Sequence, residues 1–208
     1  RVLFRSVIGL GSMGMGVART LVAGGFPAHA CDIRAGARHA FAKLGGTAHR
    51  HPAELAAHCE VVITLVVNAD QTQQVLFGKN GAAAALRPGS VVIASATVAP
   101  EFASALGERL DAMRILMIDA PVSGGAARAA TGELSIMASG TPDAFAAARP
   151  LLDSIAQTVF ELGDEAGAGS AMKAVNQLLA GVHIAAMAEG LTFGIDRKST
   201  RLNSSHLV

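Results

Sequence analysis

Lys173 is the only ionisable residue between Glu165 and His183, on a stretch otherwise made of small, apolar and amide side chains. A lysine in such surroundings is seldom buried without a partner or a task. Desolvation lowers its pKa, and it can then exchange a proton near neutral pH. Gln177 falls one helical turn further on the same face, with Asn176 beside it, offering amides to orient a hydroxyl or carbonyl. The alternative is a lysine that snorkels at a domain edge.

A second chemical feature lies near the start. Gly9-Leu10-Gly11-Ser12-Met13-Gly14 is a GxGxxG pattern between an expected strand and an expected helix. Gly9 suits a tight turn, Gly11 lets a pyrophosphate approach the backbone, and Gly14 lets the helix pack close to the strand. The helix N-terminal N–H groups then face the phosphates. Asp32 ends the next strand, 23 residues after Gly9. A carboxylate there can accept from both adenosine-ribose hydroxyls and repels a 2′-phosphate, which favours NAD over NADP. Arg34, two residues on, softens that exclusion.

Ser123-Gly124-Gly125 follows the sixth expected strand. Consecutive N–H groups there can form a small nest for a carboxylate, and a purely structural turn fits the pattern equally well. His49 and His51 flank Arg50 in an expected loop without a third ligand at metal-site spacing, so no metal is expected. His183 reads as a core or interface histidine.

These residues need a scaffold. Short Val/Ile-rich runs alternate with Ala-rich stretches of helical length. Strands are expected over Ser6–Gly9, Ala28–Cys31, near Thr47, and over Glu60–Val67, Ser90–Ala94 and Arg114–Ile118. Further strands at Leu134–Ala138 and Gln157–Glu161 flank a helix from Pro142 to about Ser154. Uninterrupted apolar runs such as Glu60–Val67 mark strands buried on both faces. The spacing predicts a Rossmann-type α/β fold: a doubly wound, mostly parallel sheet over residues 6–163. After Gly163 a long helix is expected over Ala168–Gly194, within an interdomain segment 164–195 that leads into an all-α domain.

The composition of the 208 residues, 51% hydrophobic and 16% charged, excludes a disordered chain. The longest uncharged stretch, Ala174–Ala188, is shorter than the roughly 20 residues of a membrane span, so no membrane is expected. Of the 17 basic residues, Arg1, Arg5, Arg197, Lys198 and Arg201 lie near the ends, as does Asp196 of the 16 acidic ones. Residues 6–195 therefore carry 12 basic against 15 acidic, which excludes a nucleic-acid surface. Cys31 and Cys59 lack CxxC spacing and read as reduced thiols. A soluble cytoplasmic protein is expected. Residues 1–5 and 196–208 lack periodicity and capping logic, and read as non-native leader and tail.

Six motifs in order carry a family resemblance: IGLGSMGMGVARTLVAGGF (8–26), Asp32, VVNADQTQQVLFG (66–78), SATVAP (95–100), DAPVSGGAARAATGELSIMASG (119–140) and GAGSAMKAVNQLLAGVHIAAMAEG (167–190). Over about residues 7–195 the chain resembles the β-hydroxyacid dehydrogenases, relatives of 3-hydroxyisobutyrate and 6-phosphogluconate dehydrogenase. The resemblance implies that Lys173 is the catalytic acid/base and that Ser123, Gly124 and Gly125 hold a substrate carboxylate. It implies that Gln177, where the family usually has Asn, orients a small hydroxy-acid substrate. It also implies NAD as cofactor, with Thr97 beside the nicotinamide ribose and Val67 and Asn68 near the cofactor. Family members continue into an all-helical domain that dimerises, roofs the active site and supplies a further lysine, so the intact parent is expected to be a homo-oligomer. A chain ending near Asp196 would expose the long helix. Within the class, 3-hydroxyisobutyrate, tartronate semialdehyde and glyoxylate chemistry are alternatives; outside it stand a catalytically silent dinucleotide-binding module and an imine reductase, and Lys173 argues against both of these.

Overall fold

The computed structural model describes residues 5–196. In chain order the first half comprises β1 (Arg5–Ile8), α1 (Ser12–Ala23), β2 (Ala28–Cys31), α2 (Ala35–Lys43), β3 (Thr47–His49), α3 (Pro52–Ala56), β4 (Val61–Thr64) and α4 (Ala69–Phe77). The second comprises β5 (Val91–Ala94), α5 (Pro100–Asp111), β6 (Leu116–Asp119), β7 (Val122–Ser123), α6 (Gly125–Thr131), β8 (Leu134–Gly140), α7 (Pro142–Ile155), β9 (Ala156–Glu161) and α8 (Ala168–Asp196).

Among the described residues the strands form one sheet in the order β3-β2-β1-β4-β5-β6-β8-β7, with β9 paired to β8. Pairing is parallel from β3 through β6, then antiparallel between β6 and β8 and between β7 and β8. Alternation along the strands explains the two helical layers. Val7, Val61, Ile63, Val91, Ile93 and Ile118 pack with Val17 and Leu21 of α1 and Leu151 and Leu152 of α7. Ile8, Val62, Val92 and Met117 pack on the opposite face with Leu55, Leu76, Leu106 and Leu110 of α3, α4 and α5. This is the doubly wound sheet expected from the sequence. Its connections diverge between β1 and β4, and the crevice at such a switch point is where α/β sheets bind ligands.

Several boundaries differ from expectation. The fourth strand ends at Thr64, and Leu65–Val67 leave the sheet. Arg5, assigned to the leader, is the first residue of β1; it pairs with Ala28 and Val61. Its guanidinium lies over the Phe26 ring, 3.3 Å from the centroid, and donates to Ser154 Oγ at 3.2 Å. The rest of the expected leader and the tail from Arg197 onward lie outside the described residues. Cys31 and Cys59 are free and buried, and burial pushes their thiols up to about 12 and about 11.

The described chain divides into a unit through Lys173 and a second from Ala174 onward. In the second unit, Leu178, Val182, Ile184 and Met187 are each more than half exposed. Ala168–Ile195 is long and apolar enough to cross a membrane by length and composition. Lys173, Asn176, Gln177, His183 and Glu189 interrupt its apolar surface.

Candidate active site

A cavity of about 470 Å³ opens at the carboxyl ends of the strands, lined by residues of the first unit. One wall is the turn between β1 and α1, represented by Gly11, Ser12 and Met13. Gly14 lies behind it, where a Cβ would fall 1.8 Å from the Gly9 carbonyl oxygen, so only glycine allows this packing. Gly11 is the N-cap of α1, with no side chain satisfying the first N–H groups and no acid in the first turn. Such uncapped N–H groups, with the helix dipole behind them, suit an anion. Leu10 is buried, and its N–H donates to Asp32 Oδ2 at 2.7 Å. Burial raises the Asp32 pKa, but hydrogen bonds from Arg34 and Leu10 outweigh it and hold the carboxyl below its ordinary value. The glycine cradle, the free N–H groups and the strand-end acid fit a dinucleotide.

Leu65, Val66 and Val67, displaced from the sheet after β4, line the floor together with Ser95 and Thr97 after β5. Ser95 is 6% exposed and its Oγ has no hydrogen-bond partner among the described residues. An orphaned buried hydroxyl at a cavity wall is a polar group awaiting a ligand. Ser95 opens the SATVAP motif, but its isolation comes from the strand end that carries it. Asn68 does not line the cavity. Its Oδ1 accepts the Gln71 N–H at 3.0 Å and caps α4, and the Asn-x-x-Gln spacing was a readable capping signal.

Val122, Ser123, Gly124, Gly125 and Lys173 complete the lining. The expected loop there is a two-residue strand followed by α6, with Gly124 as its N-cap. Gly124 and Gly125 have φ of +129° and +72°, values that favour glycine. Lys173 is 7% exposed, and its Nζ donates to the Val122 carbonyl at 2.9 Å. Burial pushes its ammonium below the usual lysine range.

What fixes Lys173 was missed in the sequence. Asp119, at the end of β6, accepts from Gly167 N–H (3.0 Å), Ser170 N–H (2.8 Å) and Ser170 Oγ (2.7 Å). Ser139 Oγ accepts the Gly169 N–H at 3.0 Å. The first turn of α8 is thus tied to β6 and β8, one turn before the lysine. Burial pushes the Asp119 carboxyl above its ordinary value despite these bonds. Asn176 and Gln177 belong to the second unit, where Asn176 Nδ2 donates to Gln177 Oε1 at 3.3 Å. His49 is not grouped with His51; its ring stacks on His29 with centroids 5.0 Å apart.

Residues 6–163 match the family described as the NAD binding domain of 6-phosphogluconate dehydrogenase. L-threonate dehydrogenase of Cupriavidus necator is 58% identical over 189 residues, 91% of this chain and 64% of that protein, so the chain spans just under two thirds of the relative's length. A crystal structure of 3-hydroxyisobutyrate dehydrogenase from Salmonella typhimurium superposes with a TM-score of 0.89 at 41% identity, covering 94% of this chain and 68% of that one. Psf3, in complex with NADP+ and 2-OPP, superposes with a TM-score of 0.91 at 28% identity over 98% of this chain and 72% of its own. With its motifs, fold and relatives in agreement, the chain belongs to the β-hydroxyacid dehydrogenase family and carries that family's NAD binding domain.

Proposed function

We propose that this chain is the cofactor-binding and proton-transferring part of an NAD-dependent dehydrogenase that oxidises the hydroxyl of a small hydroxy acid. L-threonate, giving 2-oxo-tetronate, is the first substrate choice. The observation that carries the reading is Lys173: a desolvated amine in the lining of the cavity that the Ser123–Gly125 turn and the glycine turn also line, bonded to the Val122 carbonyl. The 58% identity to an L-threonate dehydrogenase supports the substrate. So do segments 66–78 and 174–190, which look most like that enzyme.

The α1 N-terminus receives the pyrophosphate, and Asp32 with Arg34 meets the adenosine ribose. Ser95, Thr97 and Val67 shape the floor, and Ser95 Oγ gains the partner it lacks. The bound nicotinamide supplies a hydride acceptor. Ser123 Oγ and the Gly124 and Gly125 N–H groups hold the substrate carboxylate. Neutral Lys173 takes the hydroxyl proton on Nζ, and in the reverse direction the protonated amine returns it to the carbonyl oxygen. Gln177 and Asn176 carry amides of the kind that orient a hydroxyl or carbonyl. The reading places the protein in the cytoplasm and expects it to act as a homo-oligomer.

A second reading within the class, 3-hydroxyisobutyrate as substrate, is favoured by the 41% identical Salmonella protein. Initial rates of NAD+ reduction on L-threonate, 3-hydroxyisobutyrate and glycerate distinguish the two. The primary reading expects the highest kcat/KM on L-threonate. A preference for 3-hydroxyisobutyrate would replace it, and a chain that binds no NADH would overturn both.

A further inference from the structure

Three histidines from three elements meet at the outer edge of the sheet. His29 lies on β2, His49 ends the edge strand β3, and His58 follows α3. Ala28, Ala30 and Ala48 face the layer of α1, so alternation along the strands turns His29 and His49 to the other face, where Leu55 and Ala56 of α3 pack. The ring centres lie 5.0 Å (His29 to His49), 5.8 Å (His29 to His58) and 6.2 Å (His49 to His58) apart. His29 Nδ1 and His49 Nε2 are 2.8 Å apart, a hydrogen-bond distance. None of the three belongs to the cavity lining. Glu54 of α3 acts on His49, but its Oε2 already accepts the Arg50 and His51 N–H groups at 3.1 and 3.3 Å. His51 Nδ1 meets Asn80 Nδ2 at 3.4 Å. Opposite His29 on β1 stands Ser6, whose Oγ donates to Cys59, and burial keeps the thiols of Cys59 and Cys31 protonated. Glu60 leads from Cys59 into β4. Arg5 turns to Phe26 and Ser154, and Arg38 to the Asp32 and Ile33 carbonyls. α1, with Arg19, and α2, with His39 and Lys43, bury Val17, Leu21 and Phe41 in the other layer.

A hydrogen bond between two imidazoles needs one nitrogen that carries a proton and one that offers a lone pair. The His29–His49 pair therefore holds with both rings neutral or with one charged, and a second proton leaves two donors facing each other. His58, when protonated, adds a third like charge beside them. We propose that the His29–His49–His58 cluster is a pH-sensitive latch for the edge strand β3, tying it to β2 and to the end of α3 while the rings are neutral and releasing it once they are charged. β3 is three residues long and among the described residues pairs with β2 alone, so few ladder bonds compete with the cluster in holding it. Burial, with His49 and His58, pushes His29 below the ordinary histidine value, and burial and His58 push His49 the same way against the raising effect of Glu54. The unfolded chain then takes up these protons before the folded one. The stability that the cluster contributes is complete above about pH 6.5 and is lost as pH falls from there through the depressed folded values. His49 pairs with Cys31, so the latch lies one residue from Asp32.

The test is amide hydrogen exchange of the 208-residue chain at about pH 7.5 and about pH 5, each rate divided by the intrinsic rate at that pH. On acidification, protection of the amides shared by β2 and β3 is expected to fall at least about tenfold more than that of the amides shared by β4 and β5. In His29→Gln, whose amide can still donate to a neutral His49, this excess is expected to shrink to within about threefold. Equal losses at both strand pairs in the wild type, or an undiminished excess in His29→Gln, overturn the proposal. Should that variant fail to fold, titration of the wild-type imidazoles by NMR decides the same point. His29 and His49 are expected to take up their protons in two steps at least about one pH unit apart, the second below the ordinary histidine value of about 6.5. Independent titrations of the three rings at that ordinary value overturn the latch.

Discussion

Two turns that line the cavity both use glycine, for opposite reasons. In the Gly9–Gly14 turn the glycine at 14 is forced by crowding: backbone meets backbone, and a single methyl group has no room. In the Ser123–Gly125 turn the backbone dihedrals require glycine, yet a Cβ on Gly125 would meet nothing within 4 Å. Gly14 is packed and holds the turn's shape, while Gly11 at the cavity surface has open space. Gly125 is likewise open, whereas a Cβ on Gly124 would meet Arg128 at 3.0 Å. Glycine that is packed against backbone supports binding through rigidity, whereas glycine that faces a void leaves space for a substrate.

If binding and chemistry are divided between the turns in this way, substitutions should separate them. Lys173→Ala is expected to lower turnover by roughly two to four orders of magnitude, the range of a positioned acid–base group, with the NADH Kd within about threefold of wild type. Equal losses in both would dissolve the division. In the oxidation direction kcat/KM should rise with pH as Lys173 loses its proton. Because burial depresses that pKa, the midpoint should lie below the lysine value of 10.5. Lys173→Arg, which keeps its proton, should lose this limb of the profile.

Gly14→Ala acts at the packed position, where the added Cβ meets the Gly9 carbonyl. Overpacking of this kind costs about 3 kcal/mol, and urea unfolding together with NADH titration should show both lower stability and weaker binding. Asp119→Ala leaves the Gly167 and Ser170 donors without their acceptor, a loss of about 1–3 kcal/mol. Asp119→Asn should cost less, since its oxygen can face the two N–H groups while its amide nitrogen donates to Ser170 Oγ. The smallest effect is expected for Gly125→Ala at the open position, about 1 kcal/mol for the left-handed backbone, with NADH binding unchanged. A Gly125→Ala variant as damaged in NADH binding as Gly14→Ala would remove the distinction.

The parallel sheet was legible because strands buried on both faces are dominated by apolar residues, as 61–63 and Val91–Ala94 are. The glycine turn was legible because its crowding is local in sequence. Lys173 stood out because a charge in an apolar helix is conspicuous. Asp119 did not, because its three donors lie 48 to 51 residues away and no local pattern announces them. Leu65–Val67 looked like more strand, since the same apolar residues serve a sheet and the floor of a cavity. Arg34 was read as a modifier of Asp32, and only its hydrogen bonds reveal that it occupies both carboxylate oxygens.

The clamp at the start of α8 has a kinetic signature. The opening amides of a helix have no carbonyl one turn behind them, and in most helices they trade their protons with water almost freely. Here Gly169 and Ser170 give theirs to Ser139 and Asp119, at buried positions on the sheet. Their deuterium uptake should be slow, closer to that of strand amides than of a fraying end. Slow exchange at these two amides would place the Lys173 amine on a persistent part of the fold rather than on a moving helix tip.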